Sequence, residues 1–340
     1  MMVRAKKELA VIGVDLGGTK ILAAVVHPSG QVLGQSKRKT LPGKAEVATP
    51  AVVADRIAQT VQEALAAAGL EQTQVRAVGA SAPGPVNVDT GWVARAANLP
   101  GWEAGFDLGP QLAKRLKLPV VVDNDVNLGT LGEAVHGAGR GIADVIGIFV
   151  GTGIGGGIIL GGKLRRGFRW SAGEIGHMFV DIGGPVCGCG MAGHVEAIAS
   201  RGAISRRLAE AIAAGQETVL ASAAESGLTS GDIRRALDAG DALTAAVIGE
   251  AQEALGLLIA SVVNLLDPQA VILGGGLVES LGESFVEPVR AYAYRHFFLP
   301  DPDHRVQIMP AALGDLATVM GAAELARTTS AARTTSAPQP

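Results

Sequence analysis

The chain has 340 residues, of which 48% are hydrophobic and 18% charged, and its net charge is −3. That composition can bury a substantial core, and the length favours two domains over one. The slightly acidic balance offers no electrostatic footing for nucleic acid, so none is expected as a partner.

Arg4, Lys6 and Lys7 precede an apolar run, but the run meets Asp15 too soon for a signal peptide. Leu9–Val14 reads as a buried strand that ends at Asp15-Leu-Gly-Gly-Thr-Lys20. Ile21–Val26 is a second strand, His27–Gly30 a turn and Gln31–Lys39 a third, more polar strand. Residues 45–68 have helical spacing, with Val53, Ile57, Val61 and Leu65 on one face and Gly69 as the stop. Val75–Ala80 is another strand, and Pro119–Val122 is a buried strand that runs into Asp123, Asn124, Asp125 and Asn127.

A second strand, Val145–Val150, opens a similar pattern and enters the glycine loop Gly151–Gly157. Ile158–Leu160 returns as a strand before a Gly161-Gly162 turn, so the two halves suggest a duplicated architecture. Ala251–Leu266 is the most apolar helix, too short over that range to span a bilayer, and no membrane partner is expected. Ala270–Leu273 is a strand, Leu277–Phe297 mostly helix and Gly314–Ala326 a final helix. Residues 328–340 are low in complexity and expected to be disordered.

Three glycine loops sit at strand ends, where bare backbone N–H groups can converge on an anion. The first is Gly17-Gly18, with Thr19 and Lys20 adding donors; a tight hairpin turn is the plainer reading of it. The second offers Thr152 and Gly153. Its Gly151, Gly153 and Gly156 match G-x-G-x-x-G, but β-favouring residues follow where a dinucleotide fold needs a helix. The third, Gly274-Gly275-Gly276, lies between a strand and a helix. Together they indicate a nucleotide. Asp125, at a strand's carboxyl end, can accept a proton from a substrate hydroxyl, while Asp123 or Asn124 could simply cap a helix. Asn98, in Asn-Leu-Pro-Gly-Trp102, is either a turn former or a sugar partner.

Gly173–Glu196 holds both cysteines, Cys187 and Cys189, with His177, His194, Glu174 and Glu196. Thiols and imidazoles at this spacing can close a tetrahedral zinc site. Two thiols one residue apart fit a metal role in a reducing cytosol better than a disulfide framework, so a cytoplasmic protein is expected.

Taken in order, DLGGTK, APGP, NLPGW, DNDVN, GTGIGGG, GEIGHM, CGCG with GHVE, NLLDP and ILGGG resemble the ROK family, most closely its bacterial glucokinases. The resemblance covers Asp15 to about Arg327. It implies an α/β, actin-like (ribonuclease H-like) duplicated fold, with the active site in a cleft between two domains. The expected small domain is 1–122, joined by the C-terminal helix at about 313–327, and the large one is 123–312. The implied reaction is ATP-dependent phosphorylation of a hexose 6-hydroxyl, glucose first. N-acetylglucosamine, N-acetylmannosamine, allose and fructose are the alternatives, and polyphosphate an alternative donor.

By that resemblance Asp125 is the general base. Gly84, Asn98, Asn124, Glu174, His177 and Glu196 would hold the sugar. Asp15 would lie close to Mg²⁺. Gly17, Gly18, Thr19, Lys20, Thr152, Gly153, Gly274, Gly275 and Gly276 would bind ATP. The family's zinc site is one histidine and three cysteines; here His177, Cys187, Cys189 and His194 occupy those positions, which implies a structural Cys₂His₂ zinc. His177 could then serve zinc through one ring nitrogen and the sugar through the other. A homodimer or homotetramer is implied. Only fourteen residues precede Asp15, too few for the DNA-binding domain of the family's repressors, so a non-catalytic sugar sensor is the minor alternative.

Overall fold

The computed structural model describes residues 9–41, 49–96, 99–222, 227–300, 302–303 and 305–335. The chain divides into two compact units. The first comprises Met1–Gly137, Arg166–Ala172 and Asp315–Pro340; the second comprises Ala138–Arg165 and Gly173–Gly314.

In the first unit, β1 (Ala10–Leu16), β2 (Lys20–Val26) and β3 (Val32–Lys39) form an antiparallel meander. Strand β3 alternates exposed and half-buried residues along Gln35–Lys39, as an edge strand should. Helix α1 (Pro50–Ala68) follows, capped by the Thr49 hydroxyl at one end and by left-handed Gly69 at the other. Its start at Pro50 is later than the sequence suggested, and residues 42–48 lie outside the described ones. Strand β4 (Val75–Ala82) joins β1 in parallel, and a small hairpin of β5 (Val86–Asn87) and β6 (Trp92–Val93) leads to α2 (Leu108–Leu116). Strand β7 (Val120–Asn124) pairs in parallel with β4 and passes directly into α3 (Asp125–His136). The sheet order is β3-β2-β1-β4-β7, and Ile12, Val14, Ile57, Leu108 and Val122 are in its core.

The second unit repeats this plan. Strands β8 (Val145–Val150), β9 (Ile154–Leu160) and β10 (Lys163–Leu164) form an antiparallel meander. Short α4 (Glu196–Ala199), then α5 (Arg201–Ala213), α6 (Ser230–Asp238) and α7 (Ala242–Leu266) follow. Strand β11 (Ala270–Gly274) adds in parallel to β8; after α8 (Gly276–Leu281) and α9 (Glu283–Tyr294), β12 (Gln307–Pro310) adds in parallel to β11. The order β10-β9-β8-β11-β12 has the same sequence of antiparallel and parallel pairings as the first sheet.

Four further boundaries differ from the sequence reading. Strand β9 begins at Ile154, because Gly155, Gly156 and Gly157 pair with Phe149, Ile148 and Gly147 and so belong to the ladder. Helix α7 begins at Ala242, capped by Asp241, and is 25 residues long; it would be long and apolar enough for a membrane, but 61% of its most apolar window is buried inside the unit. The first unit extends past residue 122 to Gly137, since α3 packs on the last helix, α10 (Ala317–Thr335). That helix also continues beyond Arg327, carrying part of the supposed tail; residues 336–340 lie outside the described ones.

Helix α10 packs on the first sheet at distances where no side chain fits. A Cβ on Gly13 would lie 1.9 Å from Val319 O, and one on Gly79 would lie 1.9 Å from Ala322 O. Against α3, a Cβ on Gly132 would lie 2.0 Å from Ala317 O, and one on Gly321 would lie 1.8 Å from Leu128 O. Such overlap forces the backbones apart. Gly79→Ala is therefore expected to cost about 2 kcal/mol or more in urea unfolding. Gly249→Ala, in α7 with open space around it, should be neutral or stabilising.

Candidate active site and metal centre

Asp15 sits near the end of β1, half-buried, and the β1–β2 turn over Gly17, Gly18 and Thr19 follows it. Its Oδ1 accepts from Ser81 Oγ at 2.9 Å, while Ser81 Oγ accepts from Leu16 N at 2.9 Å. Burial pushes the Asp15 carboxyl above its ordinary value; the Ser81 hydroxyl and the Lys20 ammonium oppose that shift. Lys20 Nζ is held by Asp315 Oδ1 at 2.6 Å, and Lys20 keeps the Asp315 carboxyl low. The Gly17-Gly18 loop is a tight hairpin, closed by Gly17 N donating to Lys20 O at 3.0 Å and by Thr40 Oγ1 donating to Gly17 O at 2.6 Å. Neither Ser81 nor Asp315 could be picked out in the sequence, because each lies far along the chain from the loop it serves.

Strand β7 delivers Asp123 and Asn124, and α3 begins with Asp125. Asn124 is the helix cap: its Oδ1 accepts from Val126 N at 2.9 Å and Asn127 N at 3.0 Å. Its Nδ2 donates to Gly84 O at 3.1 Å and to Asp125 Oδ1 at 3.0 Å. Asp125 Oδ1 also accepts from Val126 N at 3.0 Å. The half-buried Asp125 carboxylate is thus held through Oδ1 at a helix N-terminus that favours negative charge. Gly84 has φ +87°, and a Cβ there would lie 2.1 Å from Arg95 O, so only glycine fits. Gly84, Asn124 and Asp125 therefore form one cluster. Asp123 is buried and ion-paired to Arg166, whose Nε donates to Oδ2 at 2.7 Å. Asn98 lies outside the described residues.

The second unit gathers His177, Cys187, Cys189 and His194, whose ligand atoms all lie within 4.8 Å of one another. His177 Nδ1 is 3.4 Å from His194 Nδ1, Cys187 Sγ is 3.8 Å from His177 Nδ1, and Cys189 Sγ is 3.3 Å from His194 Nδ1. A tetrahedron with zinc bonds of about 2.0–2.1 Å to nitrogen and about 2.3 Å to sulfur has edges of roughly 3.3–3.8 Å. The three shortest contacts named match such edges, all four ligand atoms lie within 4.8 Å, and the donors are those zinc takes, so the residues fit such an ion. Burial pushes the Cys187 thiol up, and the Cys189 thiol and Glu196 carboxylate add to that; a dication would reverse the balance. The loop is shaped by Gly190 N donating to Cys187 O and Cys187 N to Met191 O, and Phe179 packs on the His194 ring at 4.7 Å.

Glu196 links this cluster to the second glycine loop. Its Oε2 accepts from Ile154 N at 2.9 Å, and Cys187 Sγ lies 3.5 Å from Oε1. A Cβ on Gly153 would sit 2.4 Å from Glu196 Oε2, so glycine makes room for the carboxylate. Thr152 is exposed, with its Oγ1 accepting from Arg201 Nη2 at 2.8 Å. Gly275, with φ +90°, packs against Val150 at the end of β8, which places the Gly274–Gly276 loop beside the β8–β9 hairpin. Glu174 is exposed just before the short 3₁₀ turn Ile175–His177.

The chain belongs to the ROK family, which matches residues 11–329. A glucokinase of Halalkalibacterium halodurans is 34% identical over 91% of this chain and 92% of its own length. A Streptomyces coelicolor glucokinase is 36% identical, over 93% of this chain and 97% of its own. The crystal structure of a ROK family glucokinase from Streptomyces griseus, in complex with glucose and AMPPNP, superposes with a TM-score of 0.80 at 37% identity. It covers 94% of this chain and 99% of that one, so the duplicated actin-like sugar kinase fold is established.

A raised Asp15 pKa means that the folded state holds this proton more tightly than the unfolded chain, whose reference value is 3.8. The resulting stabilisation is complete below that value and is lost as pH rises through the folded pKa. At neutral pH the carboxylate is then a net cost to the fold. Without nucleotide or divalent cation, Asp15→Asn is expected to raise the thermal midpoint at pH 7, with the gain vanishing below about pH 4. A lower midpoint at pH 7 would show that the Lys20 and Ser81 contacts outweigh desolvation.

Proposed function

We infer that this chain is an ATP-dependent glucokinase that transfers a phosphoryl group to the 6-hydroxyl of glucose. The observation that favours transfer over mere sugar binding is Asp125, a half-buried carboxylate fixed at the start of α3 by Asn124 and Val126. Glucose as substrate is supported by glucokinases aligned over more than nine-tenths of both chains.

Asp125 is the general base. A sugar hydroxyl is far less acidic than an aspartic acid, whose reference pKa is about 3.9, so the base cannot ionise it in the ground state. Asp125 orients the hydroxyl and takes its proton late, as the new P–O bond forms. Asn98, Glu174, His177 and Glu196 are the further sugar ligands, with Gly84 and Asn124 shaping the turn that carries the base. The glycine loops around Gly17, Gly153 and Gly275, together with Thr19, Lys20 and Thr152, take the phosphates of ATP. Mg²⁺, when bound near Asp15, neutralises charge on the transferring phosphoryl group.

A structural zinc in the Cys₂His₂ cluster is part of this reading. His177 Nδ1 faces the cluster, so with a metal held there Nε2 would carry the ring proton and could donate to a sugar hydroxyl. Two thiols kept free to bind metal fit a reducing compartment, and the cytoplasm is the proposed location.

Two experiments decide these points. A coupled ADP-release assay over glucose, N-acetylglucosamine, N-acetylmannosamine, allose and fructose should give the highest kcat/KM with glucose, and preference for an acetamido sugar would reassign the substrate. In the same assay Asp125→Ala should lose about 10²–10⁴-fold in kcat while calorimetric glucose binding changes little. Turnover surviving that substitution would remove Asp125 from its role. For the metal, protein purified without a histidine tag should carry close to one equivalent of zinc by elemental analysis, and His194→Ala should lose it. Less than half an equivalent in the parent protein would make the cluster metal-free.

A further inference from the structure

The chain of the second unit leaves it after Arg165, contributes Arg166–Ala172 to the first unit, and returns at Gly173. The excursion is closed by Ala172 N donating to Arg166 O at 3.0 Å, with Gly167 at φ +74° and Trp170 at φ +55°. A bulky residue in the left-handed region is unfavourable and persists only where its surroundings impose it. At the head of this segment Arg166 reaches Asp123, whose side chain is 2% exposed. We propose that Arg166 is a positioning residue for the general base, acting through Asp123; the proposal rests on the function inferred above.

The argument follows the hydrogen bonds. Asp123 Oδ2 accepts from Arg166 Nε at 2.7 Å, and Oδ1 accepts from Asn124 N at 2.8 Å and Asn127 Nδ2 at 3.3 Å. Asn124 in turn caps α3 and binds the Asp125 carboxylate. One buried carboxylate thus fixes the residue beside the base and the first turn of its helix. Asn127 is held in this orientation although its Oδ1 is buried without a partner, so the Asp123 contact dominates the choice. Among the described ion pairs, Arg166 supplies the one cation facing Asp123. Without it, Asp123 becomes a buried unpaired charge, which a protein relieves by protonation or by opening to water. Either response disturbs the acceptor of the Asn124 amide, and the turn that aims Asp125 loses its anchor. Misplacement by about 1 Å at a reacting group can cost on the order of 10²-fold in rate.

The test compares Arg166→Met, Arg166→Lys and Asp123→Asn, each assayed well below its own melting temperature. Arg166→Met should lose about 10- to 100-fold in kcat, with KM for ATP changed by less than about threefold. Arg166→Lys keeps the charge and should recover most of that loss. Hydrogen exchange of a peptide spanning Val120–Leu128 should quicken in Arg166→Met and return towards the parent rate in Arg166→Lys. A folded Arg166→Met with parental kcat and parental exchange overturns the proposal. Should Arg166→Met not fold, Asp123→Asn and Arg166→Lys decide it, and parental kcat in both overturns it. If the parent chain phosphorylates no hexose, the functional reading has failed, while the exchange measurement still shows whether Arg166 orders the turn.

Discussion

The close approach of α10 to β1, β4 and α3 is the constraint on which the first unit depends. Gly13 precedes Asp15 by two residues, and Gly79 precedes Ser81 by two, so both strands are fixed to the helix just before their polar ends. Gly132 and Gly321 fix α3, the helix that begins with Asp125, to the same rod. Backbone-to-backbone contact leaves no flexible side chain to absorb movement, and interiors packed this way transmit displacement instead of damping it. Asp15, Ser81 and Asp125 are thereby held in one rigid body by residues that take no part in chemistry. A positioned carboxylate needs such support, because orientation supplies much of the rate in phosphoryl transfer.

The second unit solves a similar problem with less regular structure. Between β10 and α4 the chain is mostly loop, and a loop cannot hold a histidine at a fixed angle unaided. Tight turns at Cys187–Gly190 and a bridge between Phe179 and His194 help bring two thiols and two imidazoles together. A bound ion would complete what the short backbone ladder starts, as metal binding energy becomes folding energy where no large core is available. Glu196 extends the same support to Gly153 and Ile154, joining the Cys/His loop to the β8–β9 hairpin through one carboxylate.

Much of this was legible in the sequence because the motifs are local. Strand, glycine loop and returning strand could be read twice, and the acids at Asp15 and Asp125 stand at strand ends where composition changes abruptly. Residues that act across long sequence separations were not legible. Asp315 holds Lys20 from the far end of the chain, and Arg166 comes to Asp123 from a segment otherwise flanked by the second unit. Nothing in local periodicity marks such partners. Gly13, Gly79, Gly132 and Gly321 were equally silent, since a glycine needed for helix–sheet contact looks like any other glycine in a strand or helix. The three consecutive glycines of β9 misled in the opposite direction: they suggested a longer loop, but the sheet places them opposite β8.

The duplicated topology also lets the two halves carry different groups at the ends of their strands. In each sheet the central antiparallel hairpin turns through glycines, and the neighbouring parallel strands end on the same side of the β ladder. In the first half those ends bear carboxylates: Asp15 on β1 and Asp125 just past β7. In the second half Gly151–Gly153 follow β8, the counterpart of β1, and Gly274–Gly276 lie at the end of β11, the counterpart of β4. Carboxylates suit a cation or a hydroxyl proton, while bare amides suit the negative oxygens of a phosphate chain. On one scaffold used twice, β1 thus carries a carboxylate near its end while its counterpart β8 runs into bare backbone.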